Sequence, residues 1–267
     1  MLPYLHLARL TFLKLMAYRM RYLTGIATYA VFVGGQYFIW KAIFAAQGVA
    51  VIDGLSLVQL TTYLAVGYIA RAAYFTNTDS EIAARFQSGD ITLDLLKPLD
   101  FHGQWLSQAA GETAFRLLFF ALPMALLLVP LFGVQLPTGA GWWQFPLLFL
   151  FAFIVNAELN LLAGTASFFL EDITGLMSLK RNTMMLLSGL MVPLHFLPSF
   201  LADTLQYLPF AMIGYYPAMA YVGKLGQGHA PAFPSVVLLG LAWLVALRLL
   251  NVLAWRRATS RLEVQGG

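Results

Sequence analysis

The sequence predicts an all-α integral membrane protein: six transmembrane helices, an N-terminal interfacial helix, a structured cytoplasmic loop and a broken external segment. Three observations carry that prediction. Of 267 residues, 60% are hydrophobic and 10% charged, with a mean hydropathy of +0.74, whereas soluble domains carry about 25% charged residues. Apolar runs recur at the length of about 20 residues that a hydrocarbon core requires. Basic residues gather between alternate runs, the pattern by which cytoplasmic loops are recognised. No soluble domain can be cut from residues 1–267, so the whole chain reads as one membrane domain.

The same composition excludes several functions. With no cysteine there is no disulfide and no thiolate chemistry, and no cluster of His and carboxylates has metal-ligand spacing. The net charge of +4 comes from residues at span ends and termini, which points to membrane topology and not to nucleic acid. Arg9, Lys14, Arg19 and Arg21 interrupt the first 22 residues, so no cleavable leader is expected. The chain contains no G-x-x-x-x-G-K-[ST], H-E-x-x-H or G-x-S-x-G, so it is not expected to be an enzyme.

Taken in order, residues 1–23 form the interfacial segment, with a helix expected over 5–22. Leu5, Phe12, Leu15 and Met16 share one side and Lys14 and Arg21 the other, while Arg9 and Arg19 fall near the apolar side. Long basic side chains in a membrane interface tolerate that arrangement by reaching to the headgroups. Spans are expected over 24–46, 57–75, 105–132, 142–169, 183–200 and 233–255. Arg9, Lys14, Arg19 and Arg21 precede the first. Arg85 and Lys97 lie between the second and third, Lys180 and Arg181 before the fifth, and Arg256, Arg257 and Arg261 after the sixth. Both termini are therefore expected in the cytoplasm, which requires an even number of spans.

The cytoplasmic loop, 77–104, is longer than an ordinary connection, and long structured loops tend to be functional. Thr78-Asp79-Ser80-Glu81 has the spacing of a capping box. A helix over 81–86, a left-handed stop at Gly89, a cap at Asp90 and a second helix ended by Pro98 follow. A hairpin without a partner is the plainer reading of the same residues.

Polar residues inside the spans come next. Glu112 and Arg116, four apart, can pair along one helix face. Asn156 and Asn160 share a face of the fourth span, with Glu158 turned roughly 160° from Asn156. An ionisable group at that depth is a candidate functional residue, and interhelical hydrogen bonding is the alternative. An ion- or proton-coupled secondary transporter using Glu158 would need more such groups and usually an internal repeat, and neither is evident.

Residues 186–223 are almost wholly apolar, yet Gly189, Pro193, Pro198, Pro209, Gly214 and Pro217 cut them into short pieces. No unbroken helix fits. In hydrocarbon, broken backbone is tolerated only where protein buries it or a wet cavity receives it, so 194–232 is expected to re-enter the membrane from outside. A single kinked span plus a loop is the alternative. His195 belongs to this region as a polar member without metal partners.

Ser188-Gly189, Pro193-Leu194, Phe196-Leu197-Pro198, Leu208-Pro209-Phe210 and Tyr216-Pro217 together resemble the signature of ABC-2-type transporter permeases. The likeness is to the six-span branch with daunorubicin-resistance-like and viologen-exporter-like membrane subunits. A second match, Glu81-Ile82, Gly89-Asp90-Ile91 and Leu95-Leu96-Lys97-Pro98, lies upstream. The resemblance implies a type V exporter-like fold in a bacterial cytoplasmic (inner) membrane. It also implies export driven by separate ABC ATPase subunits that bind ATP and Mg, and pairing with an identical or related second permease. Membrane lipids are further partners, and this chain carries no cofactor of its own. The 77–104 loop becomes a coupling helix, with Glu81, Arg85, Gly89, Asp90, Lys97 and Pro98 meeting the ATPase. An amphipathic or lipid-like substrate would pass Glu158, Asn156, Asn160, Pro193, His195, Phe196, Phe210 and Tyr216. A non-transporting membrane scaffold is the remaining alternative.

Overall fold

The computed structural model describes residues 2–17, 20–170, 173–228 and 230–265, and their side chains except at 21–23 and 261–265. Arg19 and the side chains of Arg21 and Arg261, which enter the charge pattern above, lie outside the described residues. Helix α1 (Leu2–Met16) is followed by α2 (Arg21–Gln47). The hairpin β1 (Val51–Ile52) and β2 (Leu55–Ser56) leads into α3 (Leu57–Tyr74), with Val51 opposite Ser56 and Ile52 opposite Leu55. Asp53 and Gly54 at its tip both have positive φ, 44° and 82°, as a two-residue Asp-Gly hairpin requires. Ser56 and Gln59 close a reciprocal capping box at the start of α3.

The 77–104 loop contains α4 (Thr78–Ser88) and α5 (Ile91–Leu95). Helices α6 (Phe101–Arg116) and α7 (Leu122–Phe132) are fused through a π turn over Leu117–Ala121. Next come α8 (Gly141–Thr165) and α9 (Thr174–Leu187), then three short helices, α10 (Ser199–Gln206), α11 (Pro209–Ile213) and α12 (Tyr215–Tyr221). The last is α13 (Phe233–Gln265). Among the described residues three helical runs are long and apolar enough to cross a membrane: Phe101–Phe132, Gly141–Phe168 and Phe233–Ser260.

Helix α8 is the axis of the bundle, with α13, α12, α11 and α4 all packed on it. Its mid-section joins Tyr63, Leu64, Met212, Tyr215 and Val236 in the main core. At its far end Gly164 lets α4 come close, because an added Cβ would stand 2.9 Å from Ile82 Cδ1. Helix α1 lies along α6. A Cβ at Gly111 would stand 2.1 Å from the Ala8 carbonyl oxygen, so no other residue fits there without moving α1. The outer flank of α13 carries exposed Leu238, Leu241, Val245 and Leu249, the apolar surface expected of a lipid-facing helix.

Four expectations are corrected. The helix over 5–22 is not continuous, since α1 ends at Met16 and a new helix begins at Arg21. The capping box at Thr78 does not form. The cap position is Asn77, without a side-chain bond, while Thr78 Oγ1 pairs with Thr76 Oγ1 and Glu81 turns to Lys14 and Arg85. The helix placed over 81–86 extends over Thr78–Ser88. The fifth span over 183–200 is not one helix, because α9 starts at Thr174 and stops at Leu187, with only a 3-10 turn at Leu194–Phe196 before α10. Gly189, with φ of 75°, cannot continue a right-handed helix, and Pro193 removes the next donor.

Candidate functional site

The broken segment is held by side chains that reach its open backbone. Where α9 stops, the Ser188 carbonyl accepts the Tyr215 N–H at 2.8 Å and the Gly189 carbonyl accepts the Tyr63 hydroxyl at 2.6 Å. The carbonyl of Ile213, left over at the end of α11, accepts the Tyr74 hydroxyl. Tyr216 donates to the Gln206 carbonyl and the Trp243 indole to that of Tyr207, both at 2.8 Å. Each bond satisfies a group that hydrocarbon cannot solvate. The crossing of the two breaks is tight: a Cβ at Gly214 would stand 2.6 Å from the Ser188 oxygen. Of the residues expected in this region, Pro193 and Tyr216 are buried and Phe210 is partly buried against the core. Phe196 packs edge-on against Trp40, with centroids 5.4 Å apart.

A polar node lies one level below. Asn156 donates to the Tyr74 carbonyl at 3.0 Å, and Asn160 to Thr76 O and Oγ1 at 3.1 Å. Lys180 of α9 bonds both Asn160 Oδ1 and Asp79 of α4. These residues surround a cavity of about 30 Å3, room for about one water. Glu158 faces the other way. Asn251 Nδ2 of α13 donates to Glu158 Oε2 at 2.7 Å, and Arg248 approaches Oε1 at 3.9 Å. His195 bonds the Tyr215 hydroxyl at 3.1 Å and lines a separate cavity of about 370 Å3 with Asp53, Met219 and Lys224. Thus Asn156 and Asn160 are brought together, whereas Glu158 and His195 each open on different surroundings.

In the loop, Asp94 organises the residues that the sequence singled out, and sequence reasoning missed it. It is 3% exposed, with Arg85 on Oδ2 at 2.8 Å and Lys97 on Oδ1 at 2.7 Å. Gly89 takes the left-handed stop, φ 81°, as expected. Asp90 accepts from Ser88 Oγ and makes no cap bond, and Pro98 is exposed. Ile82, Ile91, Phe101, Trp105, Leu161 and Phe168 form a core of their own beneath the loop. Among the polar residues that remain outside, two large apolar side chains stand out: Leu93 is 60% and Leu96 80% exposed.

Among the described residues, three apolar helical runs of membrane-crossing length accompany a broken segment whose open backbone is bonded internally. The model of the ABC-2 family transporter proteins matches residues 30–266. The chain belongs to this ABC-2 family. Comparison with the curated proteins gave no significant match. An ABC-2 protein is a multi-pass membrane permease of ABC-type transport, not itself an enzyme, and it works with ABC ATPases.

The sealing bonds generate a stability prediction. Tyr63→Phe and Tyr74→Phe each leave a buried carbonyl unsatisfied, at a cost of about 1–3 kcal/mol. Thermal unfolding of the purified permease is expected to show both losses. Tyr207→Phe, whose ring is exposed, is expected to change stability by less than about 0.5 kcal/mol.

Proposed function

We propose that this permease forms, with an identical or related second permease, the path of a bacterial inner-membrane exporter for an amphipathic or lipid-like substrate. Two ABC ATPase subunits would dock on α4 and α5. The exposed Leu93 and Leu96 at the tip of a loop fixed by Asp94 and its own core are the observation that carries this reading. An apolar tip on a rigid mount suits insertion into a groove of another protein, because little ordering entropy is left to lose on binding. ATP and Mg would be held by the partner.

A six-span arrangement is supported by what lies at the two ends of α3. The hairpin precedes it and α4 follows it. Lys180 of α9 touches Asp79 of α4, whereas His195 shares a cavity with Asp53 of the hairpin. Between residues 180 and 195 the chain therefore passes from one end of the bundle to the other. Helix α9, with 14 residues, is only about 21 Å long, short of the roughly 30 Å core, and the broken piece supplies the rest. Helices α2, α3, α6–α7, α8 and α13 would be the other five crossings, with both termini in the cytoplasm. Residues 194–232 would then return to the outer face, where Lys224 and Asp53 line one cavity.

The ion-coupled alternative draws little support from Glu158, since its carboxylate is occupied by Asn251 and neighboured by Arg248. That arrangement suits interhelical bonding between α8 and α13.

Coupling is tested at the hinge. Gly89→Pro removes the left-handed stop and the bond from Gly89 N–H to Phe86 O. The permease is expected to insert normally but to lose substrate-stimulated ATP hydrolysis and copurification of the ATPase. Gly89→Ala, strained by about 1–2 kcal/mol, is expected to fall between. Wild-type values for Gly89→Pro would contradict docking at this loop.

Topology is tested by thiol labelling, free of background because the chain has no cysteine. An impermeant reagent on intact cells is expected to label Asp53→Cys, Asp203→Cys and Lys224→Cys and to spare Asp90→Cys and Ser260→Cys. Labelling of only one of Asp203→Cys and Lys224→Cys would mean that the segment between them crosses completely.

A further inference from the structure

Two cavities open side by side, one of about 330 Å3 between α1, α4 and α6 and one of about 590 Å3 that reaches on to Thr24 and Gly25 of α2, and Glu81 and Glu112 line both. Lys14, Arg85 and Lys97 line the first and Arg116 the second. Buried Asp94, held between Arg85 and Lys97, takes up a third charge. Four basic groups against three acidic ones leave the groove with an excess of one positive charge. Lys14 is the basic side chain that faces out most: it is 67% exposed, and its contact with Glu81, at 3.8 Å, is longer than a hydrogen bond. Arg85 and Arg116 are more enclosed, and Arg116 is bonded to Glu112 at 2.7 Å.

The depth of this groove follows from helix length. The α6–α7 run has 32 residues, about 48 Å, while about 20 residues fill a hydrocarbon core. Counted back from Phe132, the core ends near residue 113, which places Glu112 and Arg116 at its boundary. Helix α1 lies along the part of α6 that projects beyond it, packed at Gly103 and Gly111. Leu2, Leu5, Leu10 and Leu13 of α1 are exposed. A net-positive groove at the level of the headgroups, flanked by an apolar helix face, has the chemistry of an anionic lipid site.

We propose that this groove binds the phosphate headgroup of an anionic phospholipid of the cytoplasmic leaflet. Lys14 is its principal contact, and the leucines of α1 lie beside its acyl chains. The bound lipid braces the loop, because Lys14 touches Glu81, Glu81 touches Arg85 and Arg85 holds Asp94. The inference rests on the cytoplasmic placement of α4 and α5 proposed above, but not on what docks there.

The test uses the purified full-length permease without ATPase, stripped of lipid in a neutral detergent. Native mass spectrometry measures apparent dissociation constants for phosphatidylglycerol and for phosphatidylcholine with the same acyl chains. Phosphatidylglycerol is expected to bind at least about tenfold more tightly. Lys14→Glu is expected to abolish that preference, Lys14→Arg to keep it, and millimolar inorganic phosphate to leave the lipid bound. Lys14 is exposed enough for these variants to fold, and an unchanged melting temperature without lipid checks this. Equal affinity for the two lipids, an unchanged preference in Lys14→Glu, or displacement by inorganic phosphate, which would mark a free-anion site, overturns the proposal. With no ATPase present, failure here leaves ATPase docking untouched, and failure of docking leaves the lipid preference standing.

Discussion

Unsatisfied backbone in hydrocarbon is the constraint on which this structure turns. A helix satisfies its own carbonyls and amides, but a segment cut at Gly189, Pro193, Pro198, Pro209 and Gly214 cannot. The bundle meets the need with aromatic side chains from its neighbours. Tyr63 and Tyr74 of α3 and Trp243 of α13 each donate to a carbonyl that a break leaves over, and the Tyr215 N–H closes the end of α9. A tyrosine suits this role because its ring packs as a hydrophobe while its hydroxyl reaches one polar atom. The two glycines at the crossing are fixed by the same geometry, since Gly189 needs a positive φ and Gly214 lies against the Ser188 oxygen.

That seal ties distant parts of the permease together. Tyr74 holds Ile213 with its hydroxyl and receives Asn156 on its carbonyl. Two turns further along α8, Gly164 carries α4, and between them Asn160 and Lys180 join α8, α9, α4 and the Thr76 link that follows α3. A displacement of α4 thus has a continuous set of packed and bonded groups through which to reach the broken segment. Packed cores and interfaces tend to switch between discrete arrangements instead of deforming smoothly. Such a chain suits a device in which an ATPase moves a loop and a path opens elsewhere.

Local patterns were legible in the sequence and long-range partners were not. The stop at Gly89 and the Glu112–Arg116 pair depend on spacing within one helix, and both stand as read. The opposed faces of Asn156 and Glu158 also follow from helical period, but only the packing tells which face meets α3 and which meets α13. Asp94 has a local signal in Lys97, three residues on, but nothing in the sequence tells of its burial or of Arg85, nine residues back, which also lies over Trp105. Two readings failed for instructive reasons. The capping-box spacing at Thr78 lost to tertiary competition, with Glu81 drawn to Lys14 and Arg85. Hydropathy counts 183–200 as a fifth span, but the breaks that Gly189 and Pro193 announce in the same sequence prevail, and α9 ends at Leu187. The box that does form, Ser56 with Gln59, has the same three-residue spacing as Thr78 with Glu81.

The sealed crossing is tested most directly by hydrogen exchange at a single amide. Tyr215 is the first residue of α12, directly after the break at Gly214, where an unsealed backbone would exchange rapidly. With its N–H bound to the Ser188 oxygen inside the bundle, it is expected to exchange slower by about two orders of magnitude or more than the amide of Ala50, which sits in the exposed bend before the hairpin. Exchange at Tyr215 as fast as at Ala50, in permease embedded in a lipid bilayer, would contradict the seal and with it the packed crossing built around it.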